Sequence, residues 1–381
     1  MSLQSLVLCS DDKIMRLLRR VLADLEVGVE QSDNADSAVQ KLTRQRFEAV
    51  IVDCEDEAVA FKVLSSARSA PCNKHAVAVA LIDGSKAVRS AFALGAHFVL
   101  YKPISAERAK TSFRAARALM KCERRRNNRI PVEIPVSLTW NNGTSQRRAI
   151  TSDLSEGGMA IQLAHRPEGA ENLRAQFTLP GSQSAMECSV QVAWENGGSG
   201  VGLRFKDMTP EHSDLLKAWV ARHSPETEKD DPPAPCKLTD LSPGACYLEI
   251  NAPFPVGTRV TLSMRAAEVR AQVGGIVRVM HPEAGMGVEF ARNTKPQQDV
   301  ADKFIHSLTS RGSIKPELMV KPEGMDSEAA AATPSPAPTT KDPLLDLFLQ
   351  KAAFPPDHFL AELRKQRHPQ AKPASAAAAP A

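Results

Sequence analysis

The chain has 381 residues, 43% hydrophobic and 24% charged, with a formal net charge of +4. That is enough apolar material for two or three separate cores, and the near-neutral balance excludes a general attraction to nucleic acid or membranes. The longest apolar strings, such as Ala76–Ile82, fall far short of the ~18 residues a bilayer span needs. The short apolar run Leu6–Leu8 is no signal peptide, so a cytoplasmic protein is expected. Seven cysteines, none in Cys-x-x-Cys spacing, read as reduced thiols rather than a disulfide framework or a zinc site.

Residues 1–120 alternate short apolar strings with helical patterns. Leu6–Leu8, Ala49–Val52, Val77–Leu81 and Phe98–Leu100 read as buried parallel strands. Ile14, Leu17, Leu18, Val21, Leu22 and Leu25 recur at helical spacing between the first two. The alternation predicts a doubly wound α/β domain. Residues 130–205 carry short, partly alternating strings punctuated by Gly, Asn and Ser: Ile134–Leu138, Met159–Leu163, Ser189–Val192 and Val201–Phe205. They predict a small β-barrel. A helix should follow, capped by Thr209, opened by Pro210 and packed through Leu215, Leu216, Trp219 and Val220.

This β-rich block then recurs. Asp153-Leu-Ser-Glu-Gly-Gly158 has a counterpart in Asp240-Leu-Ser-Pro-Gly-Ala245, and Gly200-Val-Gly202 has one in Gly285-Met-Gly287. The two motifs stand 47 residues apart in the first copy and 45 in the second, which marks an internal duplication. The domain plan is 1–120, 121–224 and 225–312, then a Pro/Ala/Ser/Thr-rich stretch at 313–341 expected to be disordered. Two short amphipathic helices follow at 342–367, capped by Asp342 and Asp357, and a second disordered tail fills 368–381.

Just before the first barrel stands Glu123-Arg-Arg-Arg-Asn-Asn-Arg129. A guanidinium pairs two oxygens of a phosphate in a planar fork and stacks on a purine face. A ligand with two phosphates and two guanines uses both abilities. The turn at Asp153 is complementary. Its carboxylate accepts from a guanine N–H edge, Ser155 adds a hydroxyl, and Gly157 and Gly158 let the backbone turn tightly and a ligand approach.

Over residues 121–224 these motifs resemble the PilZ family, whose signature is Arg-x-x-x-Arg in an N-terminal arm followed by Asp/Asn-x-Ser-x-x-Gly. Arg125 and Arg129 fill the first motif, and Asp153, Ser155 and Gly158 fill the second. The resemblance implies that the domain binds cyclic-di-GMP as the arm, residues 121–130, orders over the barrel. Arg124 lies where family members vary between one ligand and a stacked pair, and the expectation here is a pair. The second copy keeps Asp240 and Ser242 but has Ala245 for the last glycine and no Arg-x-x-x-Arg. It is expected to bind no dinucleotide and to serve packing, partner binding or homodimerisation.

Residues 1–120 resemble the receiver domain of response regulators. Asp53 ends the third strand where that family places its phosphoacceptor, and Lys102-Pro103 matches its Lys-Pro motif. Mg²⁺ in that family is held by carboxylates after the first strand, where Cys9 and Ser10 stand here and Asp11 and Asp12 follow. Two readings stay open. One is a degenerate receiver used for protein contacts; the other is a phosphorylatable one with Asp11, Asp12 and Asp53 around Mg²⁺. No P-loop, dinucleotide-binding glycine motif, Cys/His metal spacing or nucleophile elbow is present, so an enzyme is not expected. The overall expectation is a non-enzymatic second-messenger effector acting on an output protein. A ligand-independent scaffold and a phosphorylation-responsive regulator are the alternatives. Arginine-driven nucleic-acid binding is disfavoured because no aromatics interleave the cluster.

Overall fold

The computed structural model describes residues 3–70, 72–84, 87–140, 145–163, 173–195, 200–206, 208–223, 230–266, 269–292, 295–309, 317–325, 342–351 and 356–367. The chain divides into two compact units. One holds Met120–Asp231; the other holds Gln4–Leu119 and the residues from Pro232 onward. No described helix is long and apolar enough to cross a membrane.

The α/β domain runs β1 (Leu3–Leu8), α1 (Asp12–Ala23), β2 (Val27–Ser32), α2 (Ala35–Arg44), β3 (Ala49–Asp53), α3 (Glu57–Ser69), β4 (Val77–Asp83), α4 (Val88–Ala93), β5 (Phe98–Lys102) and α5 (Ala106–Asn127). Its sheet order is β2-β1-β3-β4-β5, with β1–β3, β3–β4 and β4–β5 parallel. The order reverses beside β1, which places a crevice at the carboxyl ends of β1 and β3. The four buried strands follow the apolar strings. The fifth, β2, buries only its first and last residues, and its Val-Gly-Val-Glu-Gln-Ser gives no apolar string. Helix α5 runs on to Asn127, so Arg124, Arg125 and Arg126 sit in its last turn. The residues expected as the linker arm, 121–130, are thus helical as far as Asn127. Three cations at a helix C-terminus complement the backbone dipole there.

The first barrel comprises β6 (Ile130–Pro131), β7 (Pro135–Trp140), β8 (Ser145–Ser155), β9 (Gly158–Gln162), β10 (Arg174–Thr178), β11 (Ala185–Glu195) and β12 (Gly200–Phe205), followed by α6 (Pro210–His223). The order β6-β8-β7-β10-β11-β12-β9 closes through β8–β9. Leu138, Leu154, Met159, Ala175, Phe177, Met186 and Leu203 form the core, with Leu216, Trp219 and Val220 of α6 packed onto it. Thr209 caps α6 as expected, accepting from the His212 N–H at 3.3 Å. Leu215, expected on the packed face, is 43% exposed.

The second barrel comprises β13 (Ala234–Leu241), β14 (Ala245–Glu249), β15 (Thr258–Ala266), β16 (Val269–His281) and β17 (Gly285–Phe290), then α7 (Lys295–Thr309) and β18 (Glu317–Met325). It closes as β13-β14-β17-β16-β15-β18. Strand β18 lies inside the stretch expected to be disordered, and pairs antiparallel with both β13 and β15. It takes the slot that β7 fills in the first barrel, between the counterparts of β8 and β10. The duplication is therefore permuted: the sixth strand comes from after the helix instead of before the barrel. The rest of that stretch, 313–316 and 326–341, and the tail at 368–381 lie outside the described residues. Helices α8 (Pro343–Lys351) and α9 (Pro356–Arg367) complete the chain. Asp342 caps α8 as expected, its Oδ1 accepting from Leu344 and Leu345 N–H at 3.1 Å. Helix α9 starts at Pro356, one residue before the expected cap.

Candidate functional site

On the outside of the first barrel one row of residues crosses four strands. Asp153 on β8 pairs with Ala160 on β9, Ala160 with Gly202 on β12, and Gly202 with Trp194 on β11. A bulge precedes Asp153 and another precedes Trp194, and such bulges re-aim side chains. A Cβ on Gly202 would lie 2.1 Å from Trp194 Nε1, so the indole fills the space that a side chain at position 202 would need. The result is a floor with a carboxylate at one end and a 38% exposed indole at the other.

Arg129 spans that floor. Its Nη1 donates to Asp153 Oδ1 at 3.0 Å, and its guanidinium carbon lies 5.8 Å from the Trp194 ring centre. Arg125 reaches the Asp153–Gly158 turn from α5, with Nε 3.5 Å from Glu156 Oε1. Its Nη1 also pairs with Asp230, from the segment that leaves the barrel. Nearby, Lys121 Nζ lies 2.8 Å from Asp231. Arg124 shares the last turn of α5, half-buried, while Arg126 turns back to Glu123 at 3.2 Å. The structure thus brings Arg125, Arg129 and Asp153 together.

Ser155 and the two glycines serve the turn itself. Ser155 is buried and donates to Gly158 O at 3.0 Å. A Cβ on Gly158 would sit 2.2 Å from Leu203 O, and one on Gly157 would press on Arg126 O at 3.3 Å. Gly158 permits close strand approach, and Gly157 admits the end of α5. Sequence reasoning missed Trp194, Glu156 and Asp230. The first two adjoin the motifs that were read, but Asp230 lies in an acidic stretch with no motif of its own.

The second barrel repeats the row in the same register: Asp240, Tyr247, Gly287 and Val279 on β13, β14, β17 and β16, with bulges before Asp240 and Val279. Here the chain's own tail covers it. Asp342 Oδ2 accepts from Gly244 N–H at 2.7 Å. A Cβ on Gly244 would lie 2.5 Å from Leu345, and one on Gly287 2.4 Å from Phe348. Tyr247 lies 5.6 Å from Phe359, ring to ring, and His281 lies 4.4 Å from it. The Tyr247 hydroxyl is 3.0 Å from His281 Nδ1. Burial holds the His281 imidazole down at about 4, in the neutral form that can accept from a hydroxyl.

In the α/β domain, Asp53 lies at the end of β3 and accepts from Lys102 Nζ at 2.7 Å, with Asp83 3.6 Å from the same ammonium. Burial pulls against the Lys102 charge, but the hydrogen bond and charge of Asp53 outweigh it and hold the pKa above the usual lysine value. Cys9 donates to Asp53 Oδ2 at 3.6 Å. Its thiol is pushed up to about 11, chiefly by burial. Asp11 faces its own helix: its Oδ1 accepts from Lys13 and Ile14 N–H at 2.7 and 3.2 Å, bonds that hold its carboxyl below the usual range. Asp12 is the first residue of α1. Mg²⁺ wants several oxygen ligands, whereas Asp53 is met by an ammonium and a protonated thiol. The residues present therefore fit that ion poorly, and among the described residues no group of three His, Cys, Asp or Glu could hold a metal.

The PilZ domain family matches residues 123–222 and again 223–307. Among solved structures, the chemotaxis response regulator CheY4 of Vibrio cholerae aligns at 19% identity, covering 30% of this chain and 99% of that one, with a TM-score of 0.28. A response regulator from Hahella chejuensis aligns at 28% identity, covering 27% and 81%, with a TM-score of 0.25. The PilZ domain of CeSA from a cellulose-synthesizing bacterium aligns at 22% identity, covering 25% and 93%, with a TM-score of 0.20. No curated protein matches. The assignment rests on the family match, the paired motifs and the strand orders: the chain carries two PilZ domains in tandem behind a receiver-like α/β domain.

Proposed function

We propose that the chain is a non-enzymatic cyclic-di-GMP effector that takes the dinucleotide on its first PilZ domain and passes the signal to an output protein. One observation carries this reading. Arg125 and Arg129, the two ends of Arg-x-x-x-Arg, meet the Asp153 turn beside a row of residues that ends in the part-exposed Trp194. The guanidinium forks suit the two phosphates. Asp153 suits the N–H edge of a guanine, and Trp194 offers a face on which a base can stack. In the free chain the arginines already hold carboxylates, Asp153 on Arg129 and both Glu156 and Asp230 on Arg125. Ligand capture is then an exchange of carboxylate for phosphate at Arg125. That exchange loosens the pairing between α5 and the segment at Asp230.

For the receiver-like domain the proposal is a protein-contact role, with Lys102–Asp53 as a standing ion pair. Incubation of the full chain with a small-molecule phosphodonor and Mg²⁺ should leave Asp53 unmodified by mass spectrometry. A phosphoryl adduct at Asp53 would contradict this.

Calorimetric titration of cyclic-di-GMP into the full chain tests the receptor reading. A charge-assisted contact contributes about 1.5–3 kcal/mol, so Arg125→Ala and Arg129→Ala should each weaken binding roughly tenfold to a hundredfold. A folded wild-type chain that gives no heat at high ligand would refute it. The stoichiometry separates one ligand from a stacked pair.

A further inference from the structure

The duplicated row carries different covers in the two barrels. At Gly157 the neighbour is the end of α5; at the matching Gly244 it is Asp342 and Leu345 at the start of α8. At Gly202 the neighbour is Trp194; at the matching Gly287 it is Phe348, beside Val279. Ala160 leaves the first floor low, whereas Tyr247 in the same register reaches out to Phe359. The openings at Gly157 and Gly202 thus persist in the second copy as Gly244 and Gly287, and side chains of the tail fill them.

We propose that the second PilZ domain is a receptor for an amphipathic helix pair, and that residues 342–364 are its ligand, bound in cis and exchangeable. Three observations support a seat over an integral layer of the barrel. The barrel closes through its own six strands without α8 or α9. The contact is a cluster of its own, in which Leu344, Leu347, Phe348, Phe359 and Leu363 meet the barrel's Ala245, Tyr247 and Val279. Residues 326–341, between β18 and α8 in the sequence, are rich in Ala, Pro, Ser and Thr, a linker-like composition. Leu344, Leu347 and Phe348 follow the i, i+3, i+4 spacing by which a helix enters a groove. The Asp342 carboxylate on the Gly244 amide fixes the register. The site therefore selects a helix opened by Asp-Pro, with leucines on one face and a phenylalanine one turn beyond.

The test uses the full chain with a specific protease sequence placed within 326–341, cut after folding. The proposal expects the cut tail to stay bound on gel filtration and to be displaced by excess peptide of residues 340–367. In a Phe348→Ala/Phe359→Ala chain the tail should come away on cutting. Peptide bearing both changes should compete at least about a hundredfold more weakly, because each change empties a buried aromatic seat. A wild-type tail that leaves on cutting and does not rebind would overturn the proposal. So would a tail that cannot be displaced by peptide while the barrel stays folded.

Discussion

Trp194 shows what a single residue owes to its register. Its indole lies on Gly202, and Arg129 lies over the indole. Stacking of a base on an aromatic side chain is worth about 1–3 kcal/mol, so Trp194→Ala should weaken cyclic-di-GMP binding by roughly fivefold to a hundredfold in calorimetry. Gly202→Ala should do the same while keeping the tryptophan, because the added methyl lifts the indole off the strand; a red-shifted Trp emission would report the displacement. The arginines and Asp153 were legible in the sequence because each motif is contiguous. Trp194 was not, since its place beside them arises from pairing across strands. Ser155 was legible as a motif residue but misread in role: its buried hydroxyl is spent on Gly158 O.

Elements explain where the motifs sit. The strings for β1, β3, β4 and β5 were plain because parallel strands are covered on both faces. Strand β18 was hidden because the second copy borrows its sixth strand from beyond α7, where a repeat-based boundary had already closed the domain. Helix α5 and the segment at Asp230 form a clasp through Arg125–Asp230 and Lys121–Asp231. A partly exposed ion pair contributes up to about 1 kcal/mol, so Asp230→Asn should tighten cyclic-di-GMP binding by up to about fivefold. Unchanged or weaker binding would argue that Asp230 does not compete with the ligand. The tail seat carries its own signature in pH. His281 has a folded pKa of about 4, below its unfolded value of about 6.5. Its contribution is therefore full above pH 6.5 and lost as pH falls from there toward 4, by up to about 3 kcal/mol. Urea melts at pH 7 and pH 5 should differ in the wild type and converge in His281→Asn.

Across the whole molecule, one ancestral face has taken two fates. The first copy sets Arg129 and Trp194 on this row, with Arg125 reaching the adjoining turn from α5; the second keeps the same register and bulges but lies under α8 and α9. The sequence announced the duplication through its paired Asp-x-Ser and Gly-x-Gly motifs, and the missing arginines announced that the second copy differs. What replaces the ligand there could not be read, because the tail is distant in sequence and touches the face only in the fold. The receiver-like domain sets Lys102 on Asp53 with a thiol at its side, an arrangement that supports the proposed protein-contact role. The most direct measurement is a titration of cyclic-di-GMP into the full wild-type chain beside Asp153→Ala and Asp240→Ala. Saturable wild-type binding is expected, at least about tenfold weaker with Asp153→Ala and unchanged with Asp240→Ala. Absence of wild-type binding, or an equal loss in the two variants, would contradict it.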